Sequence, residues 1–235
     1  MHRFIFCILT AIIILGCKDQ VKEKEPIPVK LVFNQQLADE LVAMVEIDQL
    51  AANNAFPPQA YSHLTQERWE HFKDSVYRLH EKRAQEMFDT HGFLGHEIVG
   101  KAGSSNFWLL VQHADHNPDF QNEVLEKMKV EVANNNADSR DYGLLVDRVK
   151  LNTGQAQVYG TQVQYNKHTG QAYPKRLIDS INVNERRKSV GLYPIEEYLN
   201  DMTEMHFEMN KANMLERGIT APKLYETPIK KTTQE

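Results

Sequence analysis

Apolar residues at helical spacing recur along most of the chain, and this pattern limits the fold more than any other feature. It predicts helices over residues 34–52, 62–90, about 107–114, 118 to about 133, and 138–152. In the first two, the apolar stripes are Leu37, Leu41, Met44 and Val45, then Trp69, Phe72, Val76 and Leu79. Asn, Pro and Gly bound these segments, and the glycines between residues 92 and 103 predict a loop.

The period changes from helical to alternating at residues 158–165, which predicts a β-strand with Tyr159, Thr161, Val163 and Tyr165 on one face. Residues 166–170 predict a turn and residues 171–175 a returning strand. Two short helices follow, over 183–190 and 194–203. The predicted fold is mainly α, with packed helix pairs and one small inserted antiparallel β-hairpin.

The amino terminus has the pattern of a secretion signal. Arg3 precedes about 13 uncharged residues, fewer than the ~20 that a spanning helix needs. Leu15-Gly16-Cys17 resembles the lipobox of bacterial lipoproteins. That resemblance implies a signal peptide over residues 1–16, cleavage before Cys17, and a lipid on Cys17 that binds the membrane. The alternative is an uncleaved amino-terminal anchor.

The charged segment after Cys17, closed by two prolines, predicts a flexible tether over residues 17–33. Lys18-Asp19 resembles signals that export lipoproteins to the cell surface. The expected location is therefore the cell envelope, lipid-anchored at the outer membrane, on its periplasmic face or at the surface. The folded domain is expected over residues 34–204 and a polar, loosely ordered tail over 205–235.

Composition excludes several classes of function. Cys7 lies in the signal and Cys17 carries the lipid, so the folded domain has no thiol for catalysis, disulfides or metal binding. Loss of Arg3 leaves 26 of the 27 basic residues against 32 acidic ones, a net charge of −6. No basic block stands out, so we expect no nucleic-acid partner. No motif for a cofactor is present, and none is expected.

The densest polar group of the chain is Gln112-His113-Ala114-Asp115-His116. His113 and His116 would share one face of a continuous helix. Pro118, however, makes Asn117 a helix cap and ends the preceding helix near Ala114. No HExxH spacing is present, so no metal site is predicted. His113 is either a buried histidine with a hydrogen-bond partner or a functional base.

Asp147 and Arg148 are neighbours on the helix of residues 138–152, and neighbours on a helix face different partners. Asp147 adjoins the apolar face, where a carboxylate needs a cation or several donors. His113, Arg148, Arg186 and Arg187 are its candidate partners. Either a buried ionic network or a functional site would satisfy this pattern.

The strand of residues 158–165 and the helix that follows contribute the other candidates. Thr161 and Gln162 point to opposite faces of the strand, beside Tyr159 and a central glycine. Arg186 and Arg187 are candidates to pair with Asp147 or to bind an anionic ligand, and one of them is expected to lie in solvent.

The ordered motifs resemble a bacterial family called domain of unknown function 6624. They are Asp48-Gln49, Val99-Gly100, Trp108, Gln112-His113-Ala114-Asp115, Phe120-Gln121, Asp147-Arg148, Gln157, Tyr159-Gly160-Thr161-Gln162, Arg186-Arg187, Gly191-Leu192 and Tyr198-Leu199. The resemblance covers about residues 35–200. It implies a shared domain boundary and a meeting of these polar motifs in one place, and it brings no established activity.

Two hypotheses of function follow. The first is a non-catalytic module that binds a small molecule or an envelope protein in a polar groove. The second is a hydrolase in which His113 acts as a general base. Asp115 or Asp147 would orient that base, and an arginine would stabilise the developing anion. The candidate site residues for both are His113, Asp115, Asp147, Arg148, Tyr159, Gln162, Arg186 and Arg187, and the residue to be lipidated is Cys17.

Overall fold

A computed structural model describes residues 32–227, so the predicted signal peptide, Cys17, most of the tether and the last eight residues lie outside the described range. The helices are α1 (Gln35–Asn53), α2 (Gln66–His91), α3 (His96–Gln112), α4 (Pro118–Ala133), α5 (Ser139–Asn152), α6 (Val183–Ser189), α7 (Ile195–Met209) and α8 (Lys211–Glu216). Strands β1 (Val163–Tyr165) and β2 (Ala172–Pro174) form an antiparallel pair between α5 and α6, and a 3₁₀ turn covers Gln59–Tyr61. This architecture confirms the predicted fold class.

Helices α1–α5 pack around the larger of two cores. Leu41, Phe107, Leu110, Val124 and Leu145 are all fully or almost fully buried within it. The predicted stripe of α2 is wrong at its centre. Val76 is buried, but Leu79 is 67% exposed, and the buried positions continue instead at Ala84, Met87 and Phe88. α2 therefore contributes its second half to this core.

The predicted glycine-rich loop before residue 107 is wrong, because α3 already begins at His96. Gly100 interrupts this helix with φ 73°, a conformation that L side chains rarely adopt. Gly103 faces Val99, whose Cβ would lie 2.7 Å from an added Cβ. The glycines thus kink and pack a helix, and only the short connection after α2 is a loop.

The hairpin packs with α6 and α7 around the smaller core of Ala172, Val183, Ile195 and Leu199. The register pairs Val163 with Pro174 and Tyr165 with Ala172. The predicted strand is wrong in its first half, because residues 158–162 do not join the ladder. Their backbone has a different partner, which is described below.

The predicted loose tail is ordered through most of its length. Helix α7 runs on to Met209, and α8 follows it, because Phe207 and Met214 are buried. Near the end of the described range, Tyr225 and Asn200 exchange two hydrogen bonds of 2.7 and 3.0 Å. Between residues 32 and 227, no helix is both long enough and apolar enough to span a membrane.

Candidate functional site

The turn between α3 and α4 positions the polar motif of residues 112–116. Asn117 caps α4 by accepting a hydrogen bond from the Phe120 amide, and Pro118 opens the helix, as predicted. The fully buried Gln121 donates from Nε2 to the carbonyls of Val111 and Gln112, at 3.0 and 3.3 Å. Gln121 of α4 therefore fixes the last turn of α3, and with it the start of the turn that carries His113 and Asp115.

His113 is bound to Asp48 of α1. Its Nδ1 lies 2.6 Å from Oδ2 of Asp48, which is fully buried and also accepts a hydrogen bond from Gln49 at 3.1 Å. Burial alone would raise the pKa of Asp48, but His113 and His80 beside it outweigh burial and lower the pKa to about 2. Because Asp48 is ionised, Nδ1 of His113 donates the proton of this hydrogen bond, and Nε2 is the ring nitrogen that does not contact Asp48.

The expected partner of His113 was therefore wrong: neither Asp115 nor Asp147 orients its ring. Asp48 falls on the apolar stripe of α1, one turn after Met44. A carboxylate at a core position needs donors, and this position was the available signal in the sequence. A second histidine also faces Asp48, since Nδ1 of His80 lies 3.9 Å from Oδ1, beyond hydrogen-bond distance.

Asp115 forms a bidentate pair with Arg148 of α5. The Nε and Nη2 atoms of Arg148 donate to the two carboxylate oxygens at 2.7 and 2.6 Å, and Asn152 donates to Oδ1 at 2.8 Å. Burial opposes ionisation of Asp115, but the hydrogen bonds and charge of Arg148 prevail and lower its pKa. The pair is an ionised, rigid element at the protein surface.

Two polar cavities share this pair as a wall and together form one region, here called the groove. The first, of about 310 Å³, is lined by Ala52, Asp74, Tyr77, His113, Asp115, His116 and Arg148. The second, of about 210 Å³, is lined by Asp115, Arg148, Leu151, Asn152, Gln162 and Lys175. The groove therefore combines a carboxylate-bound histidine, an ion pair and amide groups.

Asp147 lies in the interior, not in the groove. It is fully buried and accepts hydrogen bonds from the backbone amides of Val158 (2.7 Å), Tyr159 (3.0 and 3.2 Å) and Thr161 (2.8 Å). Backbone donors thus replace the His113 and arginine partners that the sequence suggested. This carboxylate also explains why residues 158–162 do not pair as a strand.

The two arginines of α6 hold the same loop from its other side. Arg186 donates to the Val158 carbonyl at 2.7 Å and forms an ion pair with Asp179. Arg187 is 1% exposed and donates to the carbonyls of Tyr193 and Tyr159 at 2.7 and 2.9 Å. Neither arginine contacts the groove, and the expectation that one would lie in solvent was wrong.

The sequence-predicted site residues therefore separate into two sets. His113, Asp115, Arg148 and Gln162 line the groove. Asp147, Tyr159, Arg186 and Arg187 form the loop network behind it. Gln157 connects the two sets, because its side chain exchanges hydrogen bonds of 2.8 and 2.7 Å with the backbone of Gln162.

A family model described as a family of unknown function, DUF6624, matches residues 35–209. The chain belongs to DUF6624. No curated protein and no solved structure matches the chain. The DUF6624 match spans the groove and its supporting network together, from Asp48 on α1 to α7.

Four polar groove residues of this DUF6624 protein were not among the candidates from the sequence: Asp74, Tyr77, Asn152 and Lys175. Tyr77 packs its ring edge-on against His113, with 5.5 Å between ring centroids. Asp74, Tyr77 and Asn152 lie on amphipathic helices and Lys175 directly follows β2, and polar residues are ordinary at such positions, so the sequence held no signal for them. Among residues 32–227, no three histidine, cysteine or acidic side chains are grouped to hold a metal ion. His116 instead pairs with Glu81 of α2.

Proposed function

We propose that the DUF6624 domain binds a small polar ligand in the groove. The observation that carries this proposal is the Asp115–Arg148 pair, which forms the common wall of two open polar cavities. A bidentate pair presents fixed donors and acceptors, so it orients a ligand at little entropic cost. An envelope protein that inserts a polar side chain is the other class of partner that this surface fits.

The binding proposal is tested with the purified full chain and a panel of amino acids, monosaccharides, carboxylic acids and phosphate esters. Thermal shift and ligand-observed NMR would report binding. We expect at least one class to bind, and Arg148→Gln to weaken that binding at least tenfold. Arg140→Gln is the matched control, because its guanidinium pairs with Asp138 outside the groove. Equal binding by both variants, or no binding by the native chain, would reject the groove.

A second function is favoured by one specific contact, the Asp48–His113 hydrogen bond. A fully buried, ionised carboxylate holds the imidazole through Nδ1, so Nε2 of the neutral ring would be the proton acceptor. In a hydrolase, Nε2 would take a proton from water as the water oxygen attacks a carbonyl or phosphoryl centre, and would return that proton to the leaving group as the bond from that group to the centre breaks. Nη1 of Arg148, which is not used in the pair with Asp115, would stabilise the developing anion.

The hydrolase proposal is tested with p-nitrophenyl esters and phosphates. His113→Gln and Asp48→Asn should each lower kcat by about 10²–10⁴-fold, the usual contribution of a general base. Gln35→Ala, at an exposed hydrogen bond on α1, serves as the control. A native chain without turnover, or variants with native turnover, would leave ligand binding as the function.

We also propose that this domain is tethered to the bacterial envelope as a lipoprotein, at the outer membrane, through lipid on Cys17. The support is the order of Arg3, an uncharged stretch and Leu15-Gly16-Cys17. Metabolic labelling with an alkyne palmitate should mark the native chain and not Cys17→Ser. Labelling of Cys17→Ser at native levels would contradict the proposal, and protease shaving of cells would distinguish surface from periplasmic display.

A further inference from the structure

The methionines of this chain are unevenly placed. Four of the eight lie between positions 202 and 214. Met44, Met87 and Met128 are buried in the larger core, as methionine usually is. Met205 and Met209 are instead 46% and 78% exposed. Since core packing does not account for these two thioethers, their arrangement on α7 suggests a different role.

Met202, Met205 and Met209 lie on one face of α7. Their spacings of three and four residues place neighbouring side chains about 5–6 Å apart at Cβ. Methionine has three rotatable bonds before its methyl group, so three such thioethers can converge on one point above the helix. Met202 is partly buried against the hairpin core and anchors the inner end of the row.

The side chains beside this row are engaged with other partners and leave the thioethers of Met205 and Met209 exposed. His206, next to Met205, is engaged by Tyr165, on which its ring stacks with 3.8 Å between centroids. Lys211 is paired with Glu208 at 3.0 Å. The surface is thus open to a cation that prefers sulfur.

We propose that Met202, Met205 and Met209 form a binding site for a soft monovalent metal ion, Cu(I) or its analogue Ag(I). Thioether sulfur selects Cu(I) over Zn²⁺, Mg²⁺ or Ca²⁺, which prefer nitrogen, thiolate or oxygen ligands. Residues 32–227 contain no cysteine, so these thioethers are the softest donors of the folded domain. This site is separate from the groove and does not rest on its function.

The test uses Ag(I) as a redox-inert probe on the full chain carrying Cys7→Ser and Cys17→Ser, which removes competing thiols. Labelling with [methyl-¹³C]methionine gives a separate signal for each methionine. We expect the methyl signals of Met202, Met205 and Met209 to shift together and saturate at one equivalent of Ag(I). Those of the three core methionines should stay fixed. Shifts that grow without saturation, or that include all methionines equally, would overturn the site.

Substitution provides the second arm of the test. Met205→Leu with Met209→Leu removes two sulfur atoms while keeping side-chain volume and helix propensity. Competition with bicinchoninate for Cu(I) should show at least a tenfold loss of affinity in this double variant. Met128→Leu removes one buried sulfur elsewhere and should bind as the native chain does. Native affinity in the double variant would overturn the proposal.

Discussion

Asp147→Asn should be among the most destabilising single-atom changes in this domain. The carboxylate accepts hydrogen bonds on both oxygens, so an amide presents one NH₂ group to amides that already donate, whichever way it turns. At least one charge-assisted hydrogen bond is lost, worth about 1.5–3 kcal/mol, and one buried amide is left unpaired, costing about 1–3 kcal/mol more. The expected loss in the free energy of unfolding is about 3–5 kcal/mol.

Urea denaturation followed by circular dichroism measures this loss. With a slope of about 2 kcal/mol per M, the unfolding midpoint should fall by about 2 M. The neighbouring residue provides the matched comparison. Arg148→Gln breaks an ion pair whose side chains are 26% and 45% exposed, so it should cost about 1 kcal/mol or less while weakening ligand binding.

Three results would refute this reasoning. A cost below about 1 kcal/mol for Asp147→Asn would mean that the loop of residues 158–162 contributes little to stability. A larger loss of stability for Arg148→Gln than for Asp147→Asn would mean that Arg148, and not Asp147, has the structural role. Loss of ligand binding by Asp147→Asn at full stability would also move Asp147 into the groove.

Three further predictions concern the interior. Folding lowers the pKa of Asp48 from 3.8 to about 2, so its ionised carboxylate contributes about 2 kcal/mol to the free energy of unfolding. This contribution is full above pH 4 and is lost as pH falls towards 2. Acid titration of the free energy of unfolding should show the loss, and Asp48→Asn should lack it. Gly160→Ala should cost about 3 kcal/mol in urea unfolding, since φ is 72° and the new Cβ would lie 2.7 Å from Ile195. Gly154→Ala, with a similar φ of 76° and open space around it, should cost only about 1 kcal/mol. Equal costs for the two variants would contradict the packing argument. Arg187→Lys should lower the thermal midpoint through a loss of about 2–4 kcal/mol, because an ammonium cannot reach both backbone carbonyls; a native midpoint would contradict this.

The helices that the sequence predicted well are those with local signals at both ends. Helix α4 begins at Asn117-Pro118 and α5 at Asp138, and each begins where its cap predicts. Gly100 misled the prediction, because a glycine that kinks a helix and one that belongs to a loop look alike in sequence. α3 continues through Gly100 because the packing of Ile98, Val99 and Phe107 holds both halves in the core.

Only four of the eight candidate residues from the sequence line the groove, and their contacts were not predicted. Alternation predicted a strand over residues 158–165, but the pattern does not show that a buried carboxylate on α5 gathers the amides of Val158, Tyr159 and Thr161. Asp48 and His113 are 65 residues apart, and no local pattern relates them. Contacts of this kind depend on how helices cross, which single-sequence periodicity does not encode.

The exchange of hydrogen bonds between Gln157 and Gln162 has a consequence for how this domain can change over time. Gln162 borders the proposed ligand cavity, while Gln157 holds its backbone beside the segment that Asp147 anchors. A substitution that loosens the anchored segment is expected to widen the range of ligands that bind before it lowers expression of the protein. Variants with altered ligand preference are therefore expected to arise from substitutions at positions that do not contact a ligand. Such variants are also expected to have a lower thermal midpoint of unfolding.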